Sequence, residues 1–140
     1  MPELPEVEVV RRGLLNHLPG RTITGLSTDG KQMRLPVPES ALRASLTGAR
    51  ITDVRRRAKY LLIDMDNGSV LIVHLGMTGI LGLFPVETAH NVHDHVCWRL
   101  DNDYELRFND IRRFGSVQIV GPNQAKSLEQ TLFKATGPEP

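Results

Sequence analysis

The amino-acid sequence predicts an α+β protein that is mostly β, with a two-layer antiparallel β-sandwich of about eight strands flanked by two α-helices. Three observations lead to this prediction. Short segments along most of the chain alternate between apolar and polar residues, as half-buried strands do. Turn residues separate these segments, and only two stretches show apolar residues at helical spacing.

The two helices are predicted near the N-terminus. Apolar residues recur at helical spacing over about residues 5–18, where Pro5 suits the first turn. Pro19 and Gly20 are typical of the end of a helix. A second, shorter helix is predicted over residues 38–46, with a glycine two residues later as its stop.

The remaining elements are predicted as strands joined by tight turns. The predicted strands are residues 23–27, 50–56, 60–65, 69–75, 80–84, 96–100, 104–108 and 116–120. Asn67 and Gly68 form the centre of a predicted hairpin turn, and residues 101–103 form a second tight connection.

Composition excludes several classes of protein. Of 140 residues, 40% are hydrophobic and 24% are charged, so the chain can bury a core. It has neither an apolar run of the roughly 20 residues that a membrane helix needs nor the order of a signal peptide, so we expect neither secretion nor membrane insertion. A single cysteine, Cys97, excludes a disulfide framework and a multi-cysteine zinc site, and we expect it to be a buried strand residue. The net charge of +1 does not by itself indicate a nucleic-acid binder.

The last residues have the composition of a connection between domains. Residues 125–132 are predicted to form a short helix, and residues 135–140 have linker composition. We therefore expect residues 1–134 to form one domain and residues 135–140 to begin a linker to a further part of a longer protein.

The chain start offers a nucleophile. If Met1 is removed, Pro2 carries a free secondary amine, and an α-amine has a reference pKa of about 7.7–8.0. Such an amine can attack an electrophilic sugar carbon and form an iminium, with Glu3 beside it as a proton carrier. The alternative is an ordinary chain start before a helix.

A basic run precedes the third predicted strand. Residues 50–60 contain four arginines and one lysine against a single acid. The run fits either a stripe that follows nucleic-acid phosphates or an edge strand protected by charge. Lys59 stands directly before an apolar run, so we expect it to be partly enclosed.

Two loops carry side chains that suit contact with bases. Met77 stands between two glycines and could enter a base stack, although such a methionine commonly packs on a core. Arg112, Arg113 and Phe114 combine guanidinium groups with an aromatic ring, a common nucleic-acid surface. If Phe114 is buried under its loop, ordinary packing explains it.

Histidines supply one further candidate site. His93 and His95 are two residues apart, on one face of a predicted strand, and His90 is near them in sequence. No fourth ligand stands at a suitable spacing, so we expect no metal site in this chain. A hydrogen-bonded structural role is the alternative for His74, which follows a predicted strand.

Five segments in chain order together resemble one family. They are residues 1–8 (Met-Pro-Glu-Leu-Pro-Glu-Val-Glu), 57–62 (Arg-Ala-Lys-Tyr-Leu-Leu), 74–79 (His-Leu-Gly-Met-Thr-Gly), 93–96 (His-Asp-His-Val) and 112–115 (Arg-Arg-Phe-Gly). The family is that of the bacterial formamidopyrimidine-DNA glycosylases, enzymes of base-excision repair, and the similarity is to the N-terminal catalytic domain. It runs through nearly the whole chain. The sister branch, which resembles endonuclease VIII and favours oxidised pyrimidines, tends to have glycine in place of Leu4 and lacks the Arg-Arg-Phe-Gly loop.

The resemblance implies catalytic roles near the chain start. After loss of Met1, Pro2 would attack C1′ of the damaged nucleotide and form a Schiff base, and Glu3 would donate protons. Glu6 would support that site, and Lys59 would contact the phosphate beside the lesion and assist β-elimination.

The resemblance also implies DNA contacts. His74 and His93 would contact the DNA backbone. Met77, Arg112 and Phe114 would fill the gap that the damaged base leaves, with Arg112 facing the orphaned cytosine.

The family implies a bifunctional glycosylase and lyase that removes oxidised purines from double-stranded DNA by β,δ-elimination. We expect a monomer in the bacterial cytoplasm, with no membrane partner and no cofactor in this segment. The family's structural zinc belongs to a C-terminal zinc finger that follows a helix–two-turn–helix region, and neither occurs in these residues.

Three features of the chain limit its expected activity. Ile111 stands where the family commonly has proline, which predicts a less rigid loop. In the family, the C-terminal region supplies about half of the contacts to DNA phosphates. Without those contacts, we expect poor activity from these residues alone. A chain that keeps Met1 has no free amine at Pro2 and is expected to be catalytically inactive.

Two alternative functions stay open. They are a non-catalytic damaged-DNA-binding module and an enzyme for oxidised pyrimidines.

Overall fold

The described part of the chain is built from two helices and eight strands. A computed structural model of the chain describes residues 4–31 and 33–121. The elements are α1 (Leu4–Leu15), β1 (Ile23–Thr28), α2 (Glu39–Leu46), β2 (Ile51–Arg57), β3 (Tyr60–Met65), β4 (Val70–His74), β5 (Gly79–Pro85), β6 (Asp94–Leu100), β7 (Tyr104–Asp110) and β8 (Ser116–Val120). The predicted class, mostly β with two helices, is confirmed.

The strands form two four-stranded antiparallel sheets. The first sheet has the order β1-β6-β7-β5, and the second has the order β2-β3-β4-β8. One core of aliphatic and aromatic side chains lies between them, with Trp98 and Phe108 of the first sheet and Leu61 and Val73 of the second fully buried. Alternation along each strand places these residues on the inner faces.

The two helices lie along opposite sides of the sandwich. Helix α1 contacts β2 and β5, which are edge strands of the two sheets, and α2 contacts β1 and β8, the edge strands on the other side. Val7 and Leu14 of α1, and Leu42 and Leu46 of α2, are buried in the shared core. Each helix therefore covers exposed strand edges while it buries its own apolar face.

The predicted end of the first helix is wrong by three residues, because α1 ends at Leu15 and not at residue 18. The amides of His17 and Leu18 both donate to the Leu14 carbonyl, so the chain leaves the helix through a tight turn. Pro19 explains the early end, since a proline disfavours helical backbone at the residue before it. Leu18 is still fully buried.

Both predicted hairpin turns are present. Gly68 has φ +87°, a backbone conformation that favours glycine, and the Asn67 side chain accepts a hydrogen bond from the Ser69 amide at 2.9 Å. Asp103 has φ +64° in the connection from β6 to β7. The strand bounds differ from the predicted ones by no more than two residues.

Four connections meet at one end of the sandwich, which we call the site end. They are the β2–β3 turn (58–59), the β4–β5 loop (75–78), the residue before β6 (93) and the β7–β8 loop (111–115). Across the second sheet, Tyr60 pairs with His74 and His74 with Ser116, and in the first sheet Gly79 pairs with Asp110. This register aligns the strand ends that carry the predicted site residues.

Several predictions fall on residues that are not described. Pro2 and Glu3, the predicted helix at 125–132 and the predicted linker at 135–140 all lie outside residues 4–31 and 33–121. Within those ranges, no helix combines the length and the apolar character needed to cross a membrane.

Candidate functional site

The start of α1 points to the site end. On β2, the Val54 carbonyl accepts a hydrogen bond from Arg11 Nη1 at 3.4 Å, and Arg56 Nε donates to Glu8 Oε1 at 3.0 Å. The residue numbers rise along the helix while they fall along the strand, so α1 runs antiparallel to β2. The first turn of α1 therefore lies toward the β2–β3 turn.

Glu8 holds α1 to the second sheet. Its carboxylate accepts hydrogen bonds from Arg11 and Arg12 on the helix and from Arg56 on the strand. Hydrogen bonds from Arg11, and then from Arg56, hold the pKa of Glu8 well below its usual range, so the carboxylate stays ionised. Glu6, which was predicted to support the catalytic residues, is exposed in the first turn of the same helix.

Two arginines of the basic run of residues 50–60 form internal ion pairs. Arg55 forms a paired contact with Asp64 at 2.5 and 2.7 Å, and Arg56 pairs with Glu8. Both arginines lie on β2, an edge strand, which supports the edge-strand interpretation for them. Lys59 is half-buried in the turn beyond β2, as predicted.

His74 is buried at the end of β4, with 3% of its surface exposed. Its Nδ1 accepts a hydrogen bond from the Gly76 amide at 3.0 Å, and its ring meets the Tyr60 ring edge-on at 4.9 Å. Burial, followed by the positive charges of Arg34 and Lys59, lowers the pKa of His74. The ring is therefore neutral at neutral pH with its hydrogen on Nε2. The predicted structural role is present, and Nε2 is left as a donor.

Met77 and Phe114 come together on the surface. Each is 48% exposed, which argues against ordinary core packing for either side chain. Arg112 Nη1 lies 3.9 Å from Met77 Sδ. A shallow cavity of about 320 Å³ opens beside them, lined by Arg34, His74, Gly76, Met77 and Phe114. The two predicted base-contacting loops thus form one surface.

Glycines allow these loops to touch. Gly76 has φ +63°, and a Cβ there would lie 2.5 Å from the backbone nitrogen of Gly115. A Cβ on Gly115 would lie 2.5 Å from the His74 carbonyl oxygen. Real Cβ atoms do not approach backbone so closely, so the β4–β5 and β7–β8 loops pack main chain against main chain only because both residues are glycine.

Cationic side chains surround this surface. Arg34, Arg112 and Arg113 are exposed, and Arg113 adopts the left-handed backbone conformation, with φ +56°. His93 is half-buried just before β6, so the expectation that it lies on a strand with His95 is wrong by one residue. Strand β6 begins at Asp94, which pairs with Asn109, and its register shifts between Asp94 and Val96.

Sequence reasoning missed three residues of this site. Arg34 lines the cavity, and its amide donates to the Gly115 carbonyl at 3.1 Å. Thr78 and Asp110 join the two loops through a side-chain hydrogen bond of 2.6 Å. The available signal was an Asp placed directly before a loop, where short acidic side chains commonly bind loop amides.

Two of the three histidines considered as metal ligands have separate hydrogen-bond partners. His95 bonds Asp29 and the Asp110 carbonyl, whereas His90 bonds Glu105 at 2.8 Å. Among the described residues, His90, Cys97 and Glu105 do place possible ligand atoms within 4.8 Å of one another.

The positively charged Arg107 side chain already pairs with Glu105 of this group. Arg107 Nε donates to the same Glu105 oxygen at 2.8 Å, and burial, followed by the charge of Glu105, raises the pKa of Cys97 to about 12. Cys97 is buried, as predicted. The group is a hydrogen-bonded network, and we assign no metal to it.

Comparison with known proteins identifies relatives. A family model described as the formamidopyrimidine-DNA glycosylase N-terminal domain matches residues 1–117. Curated proteins named formamidopyrimidine-DNA glycosylase are 50% identical in Xanthomonas oryzae pv. oryzae (strain PXO99A) and 49% identical in Stenotrophomonas maltophilia (strain K279a). Both alignments cover all of this chain and 50% of the relative, so the chain spans about half the length of the curated relatives it matches.

Solved structures of similar proteins contain damaged DNA. MutM in complex with DNA containing carbocyclic 8-oxo-G has a TM-score of 0.83 and 32% identity, over 93% of this chain and 48% of that one. Lactococcus lactis Fpg in complex with abasic-site DNA has a TM-score of 0.82 and 30% identity, over 95% of this chain and 47% of that one.

Proposed function

Because the chain belongs to the formamidopyrimidine-DNA glycosylase family, we propose that it contributes the catalytic N-terminal domain of a bifunctional DNA glycosylase and AP lyase. The proposed substrate is double-stranded DNA with oxidised purines or abasic sites. One observation carries the proposal: Lys59, Met77 and Phe114 converge at the site end, to which the start of α1 also points. The DNA-bound relatives support the choice of partner.

The proposed chemistry begins at the chain start. With Met1 removed, the Pro2 nitrogen attacks C1′, the damaged base leaves with a proton, and the sugar ring opens to an iminium. Glu3 carries the protons, and Glu6 supports it from the first turn of α1. Loss of a C2′ proton then expels the 3′ phosphate by β-elimination, and the 5′ phosphate leaves by δ-elimination.

Several described residues at the site end can assist this chemistry. Lys59 is half-buried in a turn beside the start of α1, where an ammonium can bind the phosphate that leaves and supply a proton. His74 presents a neutral Nε2 donor, and His93 lies at the same end for backbone contact. Arg112 and Arg113 are exposed for the bases and phosphates of the opposite strand.

Two exposed apolar side chains suit the space that an extruded base leaves. Unstacking a base costs a few kcal/mol, and inserted side chains offset part of that cost. Met77 and Phe114, with Arg112 beside Met77, are the proposed insertion set, and Arg112 would face the orphaned cytosine.

We further propose that residues 1–134 form one domain, that residues 135–140 begin a linker, and that the protein acts as a monomer in the bacterial cytoplasm. The residues present do not fit a four-cysteine zinc finger, because Cys97 is their single cysteine. A structural zinc would therefore belong to a part of the complete protein outside these 140 residues.

The test is incision and borohydride trapping by the complete protein on a duplex with 8-oxoguanine opposite cytosine. We expect excision, strand cleavage and covalent trapping, all lost in Pro2→Gly with binding retained. Pro5→Ala is the matched control, because Pro5 is an exposed proline three residues further along the chain. Preference for thymine glycol would favour the sister specificity, and damage-selective binding without any trapping would favour a non-catalytic module.

A further inference from the structure

We propose, resting on the function proposed above, that Asp110 is a positioning residue. With Thr78 it forms what we call the Asp110 latch, which joins the β4–β5 loop (75–78) and the β7–β8 loop (111–115) into one rigid unit. The latch holds Met77, Arg112 and Phe114 in place before DNA binds, so that they can fill the gap when the damaged base turns out.

The carboxylate of Asp110 serves both loops at once. It is completely buried, and its Oδ1 accepts a hydrogen bond from the Thr78 hydroxyl at 2.6 Å. Its Oδ2 accepts a hydrogen bond from the Gly115 amide at 2.8 Å. Thr78 Oγ1 in turn accepts a hydrogen bond from the Arg112 amide at 3.2 Å. Three hydrogen bonds through two side chains therefore connect the loops.

The backbone of Asp110 is anchored to the first sheet. Its amide donates to the His93 carbonyl at 3.1 Å, and its own carbonyl accepts from His95 Nε2 at 2.8 Å. The other ring nitrogen, His95 Nδ1, lies 2.6 Å from Asp29 Oδ2. Both ring nitrogens of His95 therefore lie within hydrogen-bond distance of acceptor oxygens. The latch is thus tied to the strand that follows His93 and to the chain just after β1.

Close packing makes the two loops a single body. Gly76 and Gly115 meet main chain to main chain, and neither position has room for a Cβ. In contrast, the side chains of Met77 and Phe114 are half exposed. The protein therefore fixes the backbone that carries these side chains and leaves the side chains themselves open to a base stack.

Preorganisation gives this arrangement a function. A loop that had to become ordered as the base turned out would lose conformational entropy at that step, which weakens insertion. A buried carboxylate that binds a hydroxyl and an amide removes that loss in advance. The expected consequence is specific, because only substrates with a base to extrude depend on the latch.

The test uses three variants of the complete protein. Thr78→Val keeps the branched shape and removes both hydroxyl contacts, and Thr78→Ser restores the hydroxyl. Thr52→Val is the matched control, because the Thr52 hydroxyl donates to the Asp64 carbonyl at 3.3 Å on exposed β2. A latch hydrogen bond of about 1.4 kcal/mol corresponds to a tenfold effect.

The first measurement is amide hydrogen exchange at Arg112 and Gly115 without DNA. We expect exchange about tenfold faster in Thr78→Val, with wild-type rates in Thr78→Ser and Thr52→Val. Unchanged exchange in Thr78→Val would overturn the latch. Hydrogen exchange does not depend on enzymatic activity, so it tests the latch separately from the proposed function. If the complete protein cleaves no damaged DNA, the proposed function is overturned, and the exchange rates still test the latch.

The second measurement compares release of 8-oxoguanine with cleavage of a preformed abasic site. We expect Thr78→Val to slow base release about tenfold and abasic-site cleavage less than about twofold, with recovery in Thr78→Ser. Equal losses on both substrates would contradict a role in base extrusion, and so would a failure of Thr78→Ser to recover.

Discussion

His74 illustrates how one buried ring can serve both the fold and the site. The Gly76 amide donates to Nδ1, which requires that nitrogen to be unprotonated. The same bond holds the start of the β4–β5 loop and leaves Nε2 as the nitrogen that carries the hydrogen. The motif at residues 74–79 indicated a functional histidine, but only the fold distinguishes which nitrogen is used internally.

The pKa of His74 is expected to lie below the ordinary 6.5, because burial and the charges of Arg34 and Lys59 disfavour its protonated form. A proton then binds the unfolded chain more readily than the folded one. This contribution to the free energy of unfolding is complete above pH 6.5 and declines as the pH falls through the native pKa.

An NMR titration of the labelled His74 ring in the complete protein checks this expectation. The midpoint should fall below 6.5, and the Gly76 amide shift should follow the same curve, since protonation breaks their hydrogen bond. A midpoint at or above 6.5 would contradict the assigned state.

Met77 is expected to act on base extrusion and not on the chemical steps. Met77→Ala should slow release of 8-oxoguanine about tenfold, because a truncated side chain no longer replaces the lost stacking. Cleavage of a preformed abasic site should change little. Met77→Leu keeps an apolar side chain of similar volume and should stay close to wild type. Equal losses on both substrates would show that Met77 is only structural.

At the scale of elements, the segment from β5 to β6 (86–93) lies over the outer face of the first sheet. Arg107 on β7 holds it there, since Nη2 donates to the Thr88 carbonyl at 2.8 Å and Nη1 to the Ala89 carbonyl at 3.4 Å. The guanidinium is buried, pairs with Glu105, and lies 5.3 Å from the centre of the Phe84 ring. This segment leads directly into His93 at the site end.

Arg107→Met is expected to destabilise the fold by about 3–5 kcal/mol, because it leaves the Glu105 carboxylate buried without its cation. Adding Glu105→Gln removes the unpaired charge and should recover most of that loss. Denaturant unfolding of wild type, both single variants and the double variant measures the coupling. A double variant no more stable than Arg107→Met would contradict the ion pair as the cause.

Elements could be predicted from sequence wherever local signals determine them. The Asn-Gly sequence at residues 67–68 and the apolar runs of β3 and β4 are local signals, and both strands lie within two residues of their predicted bounds. The end of α1 was misjudged because Leu18 continues the apolar spacing although Pro19 stops the helix. Pairings such as β1 with β6 join distant segments, and no local pattern specifies them.

At the scale of the whole molecule, the candidate site exists only because four connections meet at one end of the sandwich. The motifs indicated Lys59, Met77, Arg112 and Phe114 without showing that they are neighbours. They could not indicate the Asp110 latch, since its partners lie 32 and 5 residues away in sequence and its function depends on burial.

DNA binding by these residues alone should be weaker and less salt-dependent than binding by the complete protein. Each phosphate contact contributes about 0.9 to the slope of log Kobs against log salt concentration. We therefore expect a shallower slope and a lower affinity for the 140-residue chain on the same damaged duplex, measured by fluorescence anisotropy. Equal slopes would mean that this domain makes all of the phosphate contacts.

The most direct test is to locate the covalent bond. The complete protein is trapped with borohydride on a duplex containing 8-oxoguanine, digested, and sequenced by mass spectrometry. We predict that the sugar-derived mass sits on the N-terminal peptide, at the nitrogen of Pro2 in chains that have lost Met1. An adduct on Lys59 or another lysine, or trapping by chains that retain Met1, would contradict the proposed mechanism.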